Sequence, residues 1–289
     1  MSSPLDQIAT LVLPQESGDQ LAAGASALGL RDSRILSPGR AIEGLTTAHD
    51  SADARAVLQA AKVRGDVCVQ PDGNRRRSVL VCDMDSTLIG QECIDELAAF
   101  AGVKDRVSEI TERAMRGEIG FESALDERVS LLKGVPTNVL QTCYDERIHL
   151  NDGARTLART MRAQGAKTLI VSGGFTFFTS RVAEACGFDG HRANVLIEQD
   201  GVLAGEVEHP ILGREAKREA LMEICDGDPS RALAIGDGAN DLAMIKAAGL
   251  GLAYRAKPAV AAAAHSAIAL TSLHSALYFQ GYSDEEFCD

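Results

Sequence analysis

The chain has 289 residues, 45% of them hydrophobic and 24% charged, which is enough for a globular protein with a full core. A formal net charge of −12 argues against nucleic acid or an anionic membrane as a partner, because both are negatively charged. The sequence shows no secretion-signal pattern, no apolar run of membrane length and, among its seven cysteines, no C-x-x-C pair. We therefore expect a reduced, cytoplasmic protein without zinc, since the six histidines also lack ligand spacing.

The first 72 residues alternate between strand and helix patterns. This alternation predicts a small α+β domain, with strands over 8–13 and 66–70, two short strands within 33–47, and helices over 19–28 and 53–63. Residues 71–77 are polar and include Arg75, Arg76 and Arg77. So short a basic run predicts a solvated hinge rather than a nucleic-acid site.

The most informative stretch follows this hinge. Residues 78–82 form an apolar run that stops at Asp83, Met84 and Asp85, which is the pattern of a buried parallel strand that opens into a loop. Two carboxylates this close are stable only if they share a cation or if one stays protonated. Mg²⁺ is the favoured cation, because it takes oxygen ligands together with a phosphate. A solvated turn is the alternative interpretation of the Asp-x-Asp tripeptide alone.

Residues 92–149 predict an inserted helical cap. Amphipathic helices are expected over 94–100, 103–115, 121–132 and 139–148, separated by glycines. A helical block directly after the first strand would lie over the carboxyl edge of the sheet as a lid that excludes water.

Two charged residues of this cap bear on the substrate. If Glu92 and Arg128 both point into the site, they match an ammonium and a carboxylate on one small molecule. On spacing alone, the alternative is that Glu92 caps a helix and Arg128 pairs on the surface with an acid of its own helix. The acids within reach would be Glu122, Asp126 and Glu127.

Three downstream segments carry further polar candidates. A predicted strand over 167–171 ends in a serine and two glycines, whose hydroxyl and amides could cradle an anion. A lysine in a predicted helix over 216–225 could bind phosphate as a point charge. A strand over 233–235 ends in an acidic, glycine-rich loop. These candidates are Ser172, Gly173, Gly174, Lys217, Asp237, Asn240 and Asp241.

The remaining pattern continues the α/β alternation. Asp200-Gly201 lies between two alternating segments and predicts a hairpin within 195–207. Helices are expected over 151–165, 177–186, 240–248 and 256–264, with a strand over 250–254 and a last strand and helix beyond. The acidic residues 284–286 are predicted to be loose.

Taken together and in this order, the four segments resemble the motifs of the haloacid dehalogenase-like hydrolase superfamily. Asp85 is typical of its phosphatases and mutases, whereas its ion-pumping ATPases have threonine at that position. With Glu92 nine positions after Asp83, and with Arg128 opening the cap stretch 128–134, residues 79–270 look like the phosphoserine phosphatase family.

The resemblance implies an α/β fold with a Rossmann-like parallel sheet, an inserted helical cap and a small N-terminal α+β domain. We expect the N-terminal domain over 1–72, similar to ferredoxin-fold, ACT-like regulatory domains. The catalytic core would comprise 78–91 and 150–289, and the cap 92–149. The implied partner is a small molecule, with no nucleic acid or membrane, bound by a monomer or homodimer.

The resemblance also implies Mg²⁺-dependent hydrolysis of O-phospho-L-serine to L-serine and phosphate, the last step of serine biosynthesis. Asp83 would form an aspartyl-phosphate, and Asp85 would act as acid and then as base. The ion would be held by Asp83, the main-chain carbonyl of Asp85, and Asp237, with Asp241 supporting. Among the implied substrate contacts, Glu92 binds the amino group and Arg128 the carboxylate. The phosphoryl group is bound by Ser172, Gly173, Gly174 and Lys217, and Asn240 contacts the phosphate or water. Met115 and Phe121 are the implied apolar contacts of the lid.

Three other interpretations compete with this one. Cys186 and Arg192 satisfy the C-x₅-R spacing of cysteine phosphatases, but Cys186 closes a predicted helix and lacks a glycine-rich cradle. A phosphomutase would share both aspartates and differ in the acceptor of the phosphoryl group. A non-catalytic amino-acid sensor would keep an idle core, and the intact acidic set argues against it.

Overall fold

The N-terminal part of the chain builds an antiparallel sheet covered by two helices. The computed structural model describes residues 7–116 and 118–289. The sheet order is β2-β3-β1-β4, and the sequence of elements is β-α-β-β-α-β, as in ferredoxin-like folds. Ser17 and Asp50 cap the two helices by accepting hydrogen bonds from first-turn amides. The elements are β1 (Gln7–Val12), α1 (Gly18–Ala27), β2 (Arg31–Ser37), β3 (Ala41–Thr46), α2 (Ser51–Ala60) and β4 (Asp66–Pro71).

The rest of the chain is organised around a six-stranded parallel sheet of order β12-β11-β10-β5-β6-β7. Its central strands are buried throughout, which explains why they are continuous apolar runs in the sequence. The elements of this core are β5 (Val79–Cys82), α7 (Ala154–Ala163), β6 (Lys167–Phe175), α8 (Thr176–Cys186), β7 (Gly190–Asn194), α9 (Arg214–Ile224), β10 (Ala232–Gly236), α10 (Leu242–Ala247), β11 (Leu250–Tyr254), α11 (Pro258–Ala263), β12 (Ser266–Ile268) and α12 (Ser275–Tyr278), with short 3-10 turns at Pro229–Arg231, Ala239–Asp241 and Asp284–Glu286.

Four helices follow β5 and form the inserted cap. They are α3 (Cys93–Phe100), α4 (Lys104–Met115), α5 (Phe121–Ser130) and α6 (Asn138–Arg147). A hairpin of β8 (Leu196–Gln199) and β9 (Val202–Val207) packs on this block, with Leu203 exchanging backbone hydrogen bonds with Gly134 and Val135. Asp200 and Gly201 make the tight turn with positive φ values of 51° and 79°, as the Asp-Gly pair predicts.

The predicted fold class is confirmed: a parallel Rossmann-like sheet, an inserted helical cap and a small N-terminal α+β unit. The division into domains at 72, 91 and 149 stays a prediction. None of the helices in the described part of the chain has the length and apolar character needed to span a membrane.

The predicted hinge is packed at two of its arginines, although residues 71–74 and Arg76 are exposed. Arg75 makes an ion pair of 2.8 Å with Glu43 of β3, and only 11% of its side chain is exposed. Arg77 donates to the main-chain oxygen of Gly249, and its amide donates to the side chain of Gln280. The sequence could not indicate these contacts, because the partners of the two arginines come from distant parts of the chain.

The acidic tail is also ordered, contrary to the prediction. Glu286 pairs with Arg76 at 2.6 Å and accepts from the amide of Ser283. Tyr278 donates to Asp284 at 2.5 Å. The tail is therefore held by the same basic stretch that connects the two sheets.

Candidate active site

The site forms where three neighbouring parallel strands end. In the sheet order, β5 lies between β10 and β6, so the residues that follow these strands meet at one edge. Asp83 follows β5, Asp237 follows β10, and Ser172 occupies the last part of β6. The strand ends thus bring three of the four predicted segments together.

Lys217 joins this group from α9 and pairs with two carboxylates. Its Nζ lies 2.8 Å from Asp83 and 2.6 Å from Asp241, and all three side chains are almost fully buried. Burial lowers the pKa of Lys217, but the two carboxylates outweigh that effect, so its pKa is raised above the usual value. Lys217 is therefore a fixed ammonium beside Asp83.

Asp241 acts mainly on its neighbours in this group. Its second oxygen accepts hydrogen bonds from the amides of Asp237 and Gly238, at 3.2 and 3.0 Å. The same carboxylate therefore orients Lys217 and fixes the loop that carries Asp237. This placement fits the supporting position expected for Asp241.

The acidic residues at this edge suit a divalent cation. Carboxylate oxygens of Asp83, Asp237 and Asp241 lie within 4.8 Å of one another, with one ammonium to oppose three carboxylates. Burial and the neighbouring Asp241 raise the pKa of Asp237 to about 6, and the same two causes raise the pKa of Asp83. A hard cation would relieve this repulsion and restore the ionised forms. Since Asp241 is already hydrogen-bonded on both oxygens, Asp83 and Asp237 are the ligands best placed to hold such an ion.

Asp85 is arranged as a carboxyl group that can carry a proton. Its Oδ1 is buried and, among the described residues, has no hydrogen-bond partner. Burial, followed by the nearby Glu92 carboxylate, raises the pKa of Asp85 to about 7. A group with that pKa can both donate and accept a proton near neutral pH.

The Ser-Gly-Gly segment lies directly beside Asp85. Ser172 accepts a hydrogen bond of 2.9 Å from the amide of Gly174. A Cβ atom at position 174 would lie 2.8 Å from Asp85 Oδ2, so only glycine allows this approach. The carbonyl of Gly173 is held by Asn194 of β7 at 2.8 Å. The backbone of this segment therefore lies directly against the carboxyl group of Asp85.

Two cap residues face this edge from the other side. Glu92, at the start of α3, accepts a hydrogen bond of 2.6 Å from the hydroxyl of Ser86 in the strand-end loop. Phe121, at the start of α5, covers Gly173 so closely that a Cβ there would lie 3.1 Å from its ring. This position is compatible with the apolar lid contact expected for Phe121, which stays a prediction, whereas the side chain of Met115 lies outside what the structure describes.

Arg128 projects from α5 toward the acids of the neighbouring cap helices. Its Nε donates to the carbonyl of Ala124 at 3.1 Å, and a terminal nitrogen lies 3.4 Å from the hydroxyl of Thr111. Burial lowers its pKa, while Asp95 and Glu92 counteract that effect. Among the described residues, no ion pair joins Arg128 to an acid of its own helix, and Glu127 pairs instead with Arg113 at 3.0 Å.

Several supporting residues were missed from the sequence. Thr87 donates to Asp237 at 3.2 Å, and Asn151 donates to the carbonyl of Thr87 at 2.8 Å. Asn194, which holds Gly173, also belongs to this group, as does Asp95 beside Arg128. Thr87 lies two residues after Asp85, whereas the others act through contacts that local patterns do not encode.

The remaining predicted residues occupy separate positions. Asn240 lies half-buried in the 3-10 turn after β10, with its side-chain oxygen close to Gly238. Cys186 ends α8 in a buried position, where burial raises the pKa of its thiol to about 12. Such a thiol is a poor nucleophile, which disfavours the cysteine-phosphatase interpretation.

Comparison with known proteins agrees with this geometry. The sequence model of the haloacid dehalogenase-like hydrolases matches residues 78–249. A phosphoserine phosphatase of Archaeoglobus fulgidus is 44% identical over 231 residues, which are 78% of this chain and 67% of that protein. A phosphoserine phosphatase of Streptomyces coelicolor is 42% identical over 256 residues, covering 86% of this chain.

The match to the second of these proteins is partial, because the chain covers 62% of its length. The likeness extends to solved structures that include the N-terminal part. The unliganded structure of a probable phosphoserine phosphatase from Vibrio cholerae superposes with a TM-score of 0.78 at 33% identity, covering 96% of this chain and 86% of that one. The chain thus belongs to the haloacid dehalogenase-like hydrolases and, within them, to the phosphoserine phosphatase family.

Proposed function

We propose that the chain hydrolyses O-phospho-L-serine to L-serine and phosphate through an aspartyl-phosphate on Asp83, as the last step of serine biosynthesis. The observation that carries this proposal is the ion pair of 2.8 Å between the buried Asp83 and Lys217, with Asp85 two residues further along the same loop and its buried Oδ1 unpaired among the described residues. The two matched relatives are phosphoserine phosphatases, which supports the choice of substrate. A cytoplasmic location and a monomeric or homodimeric state stay predictions.

In the first step, an oxygen of Asp83 attacks phosphorus and the bond from phosphorus to the serine oxygen breaks. Asp85 gives its proton to that departing oxygen, as its pKa near 7 allows. Lys217 is held in place by Asp241 and neutralises part of the negative charge on the transferring group. Ser172 and the amides of Gly173 and Gly174 would bind its oxygens, each contributing up to about 10²-fold to the rate.

In the second step, water attacks phosphorus of the aspartyl-phosphate. Asp85, now ionised, takes a proton from that water, and the bond from phosphorus to Asp83 breaks to release phosphate. The two steps restore the starting protonation of both aspartates. Asn240, near the end of β10, would contact the phosphate or this water.

A bound Mg²⁺ would lower the repulsion between carboxylate and phosphate. We assign it to Asp83 and Asp237, with the main-chain carbonyl of Asp85 as a third protein ligand. Asp237 is oriented for this by Thr87 and by the loop contacts of Asp241. The fit rests on the excess of three carboxylates over one ammonium at this edge.

The cap would provide recognition of the amino acid. Glu92 carries a negative charge beside Ser86 for the substrate ammonium, and Arg128 carries a positive charge for its carboxylate. Phe121 covers the phosphoryl cradle at Gly173 and would exclude water while the cap is closed.

The substrate assignment is tested by phosphate release from O-phospho-L-serine and from p-nitrophenyl phosphate, which has no ammonium or carboxylate. Arg128→Ala should lower kcat/KM for phosphoserine about 100-fold, because a charged hydrogen-bonded pair is lost, and change the second substrate little. Arg113→Ala is the matched control, since Arg113 lies in the same cap but pairs with the exposed Glu127. Equal losses on both substrates would contradict the assignment of phosphoserine as the substrate, but not the assignment of the reaction as phosphate-ester hydrolysis.

A further inference from the structure

A cavity outside the active site lies between the N-terminal sheet and the core. It has a volume of about 260 Å³ and is open on one side to solvent. Its walls come from the end of β1, from the β2–β3 turn, and from the loops that follow β11 and β12. The residues that matter for its chemistry are Arg40, Asp152, Arg255, Thr271, Ser272 and His274.

Most neutral polar groups of this cavity are already engaged. Thr271 donates to Asp66 at 2.6 Å and shares a hydrogen bond with Ser275. The hydroxyl of Ser272 bonds to Nδ1 of His274 at 2.9 Å. The hydroxyls thus offer little to a ligand, and the remaining capacity for hydrogen bonds lies with the arginines.

Arg40 has donor capacity that its neighbours do not use. Its Nε is buried and has no hydrogen-bond partner among the described residues, although 39% of the whole side chain is exposed. The only ion pair found for it in this part of the chain is a long contact of 3.8 Å to Glu16, whose side chain is 71% exposed. Such a weak contact leaves the guanidinium without a firm acceptor.

Arg255 adds a second guanidinium to the same cavity. It stacks over the ring of Tyr254 at 5.1 Å, and its amide donates to the carbonyl of Ile268. The opposing charge is Asp152, which is 75% exposed and faces His274 at 3.8 Å. Within the lining itself, two guanidiniums are set against one solvated carboxylate, while Glu16 near Arg40 and the hydrogen-bonded Asp66 lie just outside it.

We propose that this cavity binds a small oxyanion, a carboxylate or a phosphate group, between Arg40 and Arg255. The planar guanidinium matches the geometry of either anion. The volume is just below that of pockets for drug-sized ligands, which suits a small metabolite. Arg255 also lines the cavity that contains Asp237 and Gly238, so the anion site adjoins the active site.

Calorimetric titration of the full chain tests this proposal, with sodium sulfate and sodium acetate as separate probes at constant ionic strength. The informative variant is Arg40→Ala, because Arg255 borders both cavities and its removal would disturb the active site as well. The control is Arg64→Ala, which removes the same charge from an exposed position of the N-terminal unit. Arg40→Lys keeps the charge without the planar fork, and guards against a folding defect in the alanine variant.

Wild type and Arg64→Ala should bind at least one probe at this cavity. Arg40→Ala should bind the same probe there at least about tenfold more weakly, because one charged hydrogen bond is lost. Arg40→Lys should fall between them. Sulfate can also enter the phosphoryl site at Asp83, and that binding should be the same in all four proteins. Selective loss of sulfate indicates a phosphate-type ligand, and selective loss of acetate indicates a carboxylate. Equal binding of both probes by all four proteins would overturn the proposal, whatever their phosphatase activity.

Discussion

Two clusters of charge in this protein, each built around a buried carboxylate, have opposite balances. The catalytic cluster, Asp83, Lys217, Asp237 and Asp241, sets three carboxylates against one ammonium. The junction cluster, Arg34, Glu43 and Arg75, sets one carboxylate between two guanidiniums, each 2.8 Å away. Arg34 also donates to the carbonyl of Gly281 at 2.7 Å, so the junction cluster ties the N-terminal sheet to the end of the chain.

The difference separates charges that serve chemistry from charges that serve structure. In the catalytic cluster, burial and the remaining repulsion from Asp241 raise the pKa values of Asp83 and Asp237, so the cluster gains from a further cation. In the junction cluster, Glu43 has an arginine on each side, so two ion pairs oppose its charge. The first should therefore control turnover, and the second should control stability.

The largest expected effect is on turnover in the catalytic cluster. Asp83→Asn removes the attacking oxygen but keeps the size of the side chain, so the rate of phosphate release should fall by about 10³-fold or more. Stability should hold or rise, because one of the mutually repelling carboxylates is gone while Lys217 keeps Asp241. Substantial residual activity, at an unchanged thermal midpoint, would remove Asp83 as the nucleophile.

The junction cluster should show the reverse pattern. Glu43→Gln leaves two guanidiniums around a neutral amide and should lower the free energy of unfolding by about 3 kcal/mol, measured by urea denaturation. The activity of the folded protein should stay unchanged, since Glu43 is remote from Asp83. Glu16→Gln is the control, because Glu16 is exposed and its pair with Arg40 is long, so its effect should be below about 0.5 kcal/mol. Loss of activity without loss of stability would contradict the division of roles.

A smaller effect is expected from the metal. Addition of Mg²⁺ to about 100 times its dissociation constant should stabilise the wild-type fold by about 2.7 kcal/mol, seen as a rise of the thermal midpoint. Asp237→Asn should lose most of this rise, whereas Glu43→Gln should keep it. A rise of the same size in Asp237→Asn would show that the ion binds elsewhere.

Much of the catalytic cluster could be predicted because its residues follow strands in a fixed order. Asp83 and Asp237 are each preceded by an apolar run, and parallel strands bring such positions to one edge. The helical cap was predictable from periodicity, and the hairpin from Asp200-Gly201. These signals are local in the sequence, so they can be recognised without knowledge of the fold.

The residues that escaped prediction depend on partners far away in the chain. Arg77 contacts Gln280 and Gly249, and its basic neighbours alone suggested a solvated hinge. Asn194 holds Gly173 across the sheet edge, with nothing in its own surroundings to indicate that role. No periodicity or spacing encodes such contacts, so only the folded structure reveals them.

The central claim is that phosphorus becomes bonded to Asp83 during turnover. Wild-type protein mixed with Mg²⁺ and O-phospho-L-serine labelled with ³²P, quenched in acid within one turnover and digested, tests it most directly. The label should be found on the peptide that contains Asp83, should be stable in acid, and should be absent from Asp83→Asn. Label on another peptide, or labelled phosphate released in a single turnover with none on the protein at any time, would contradict it.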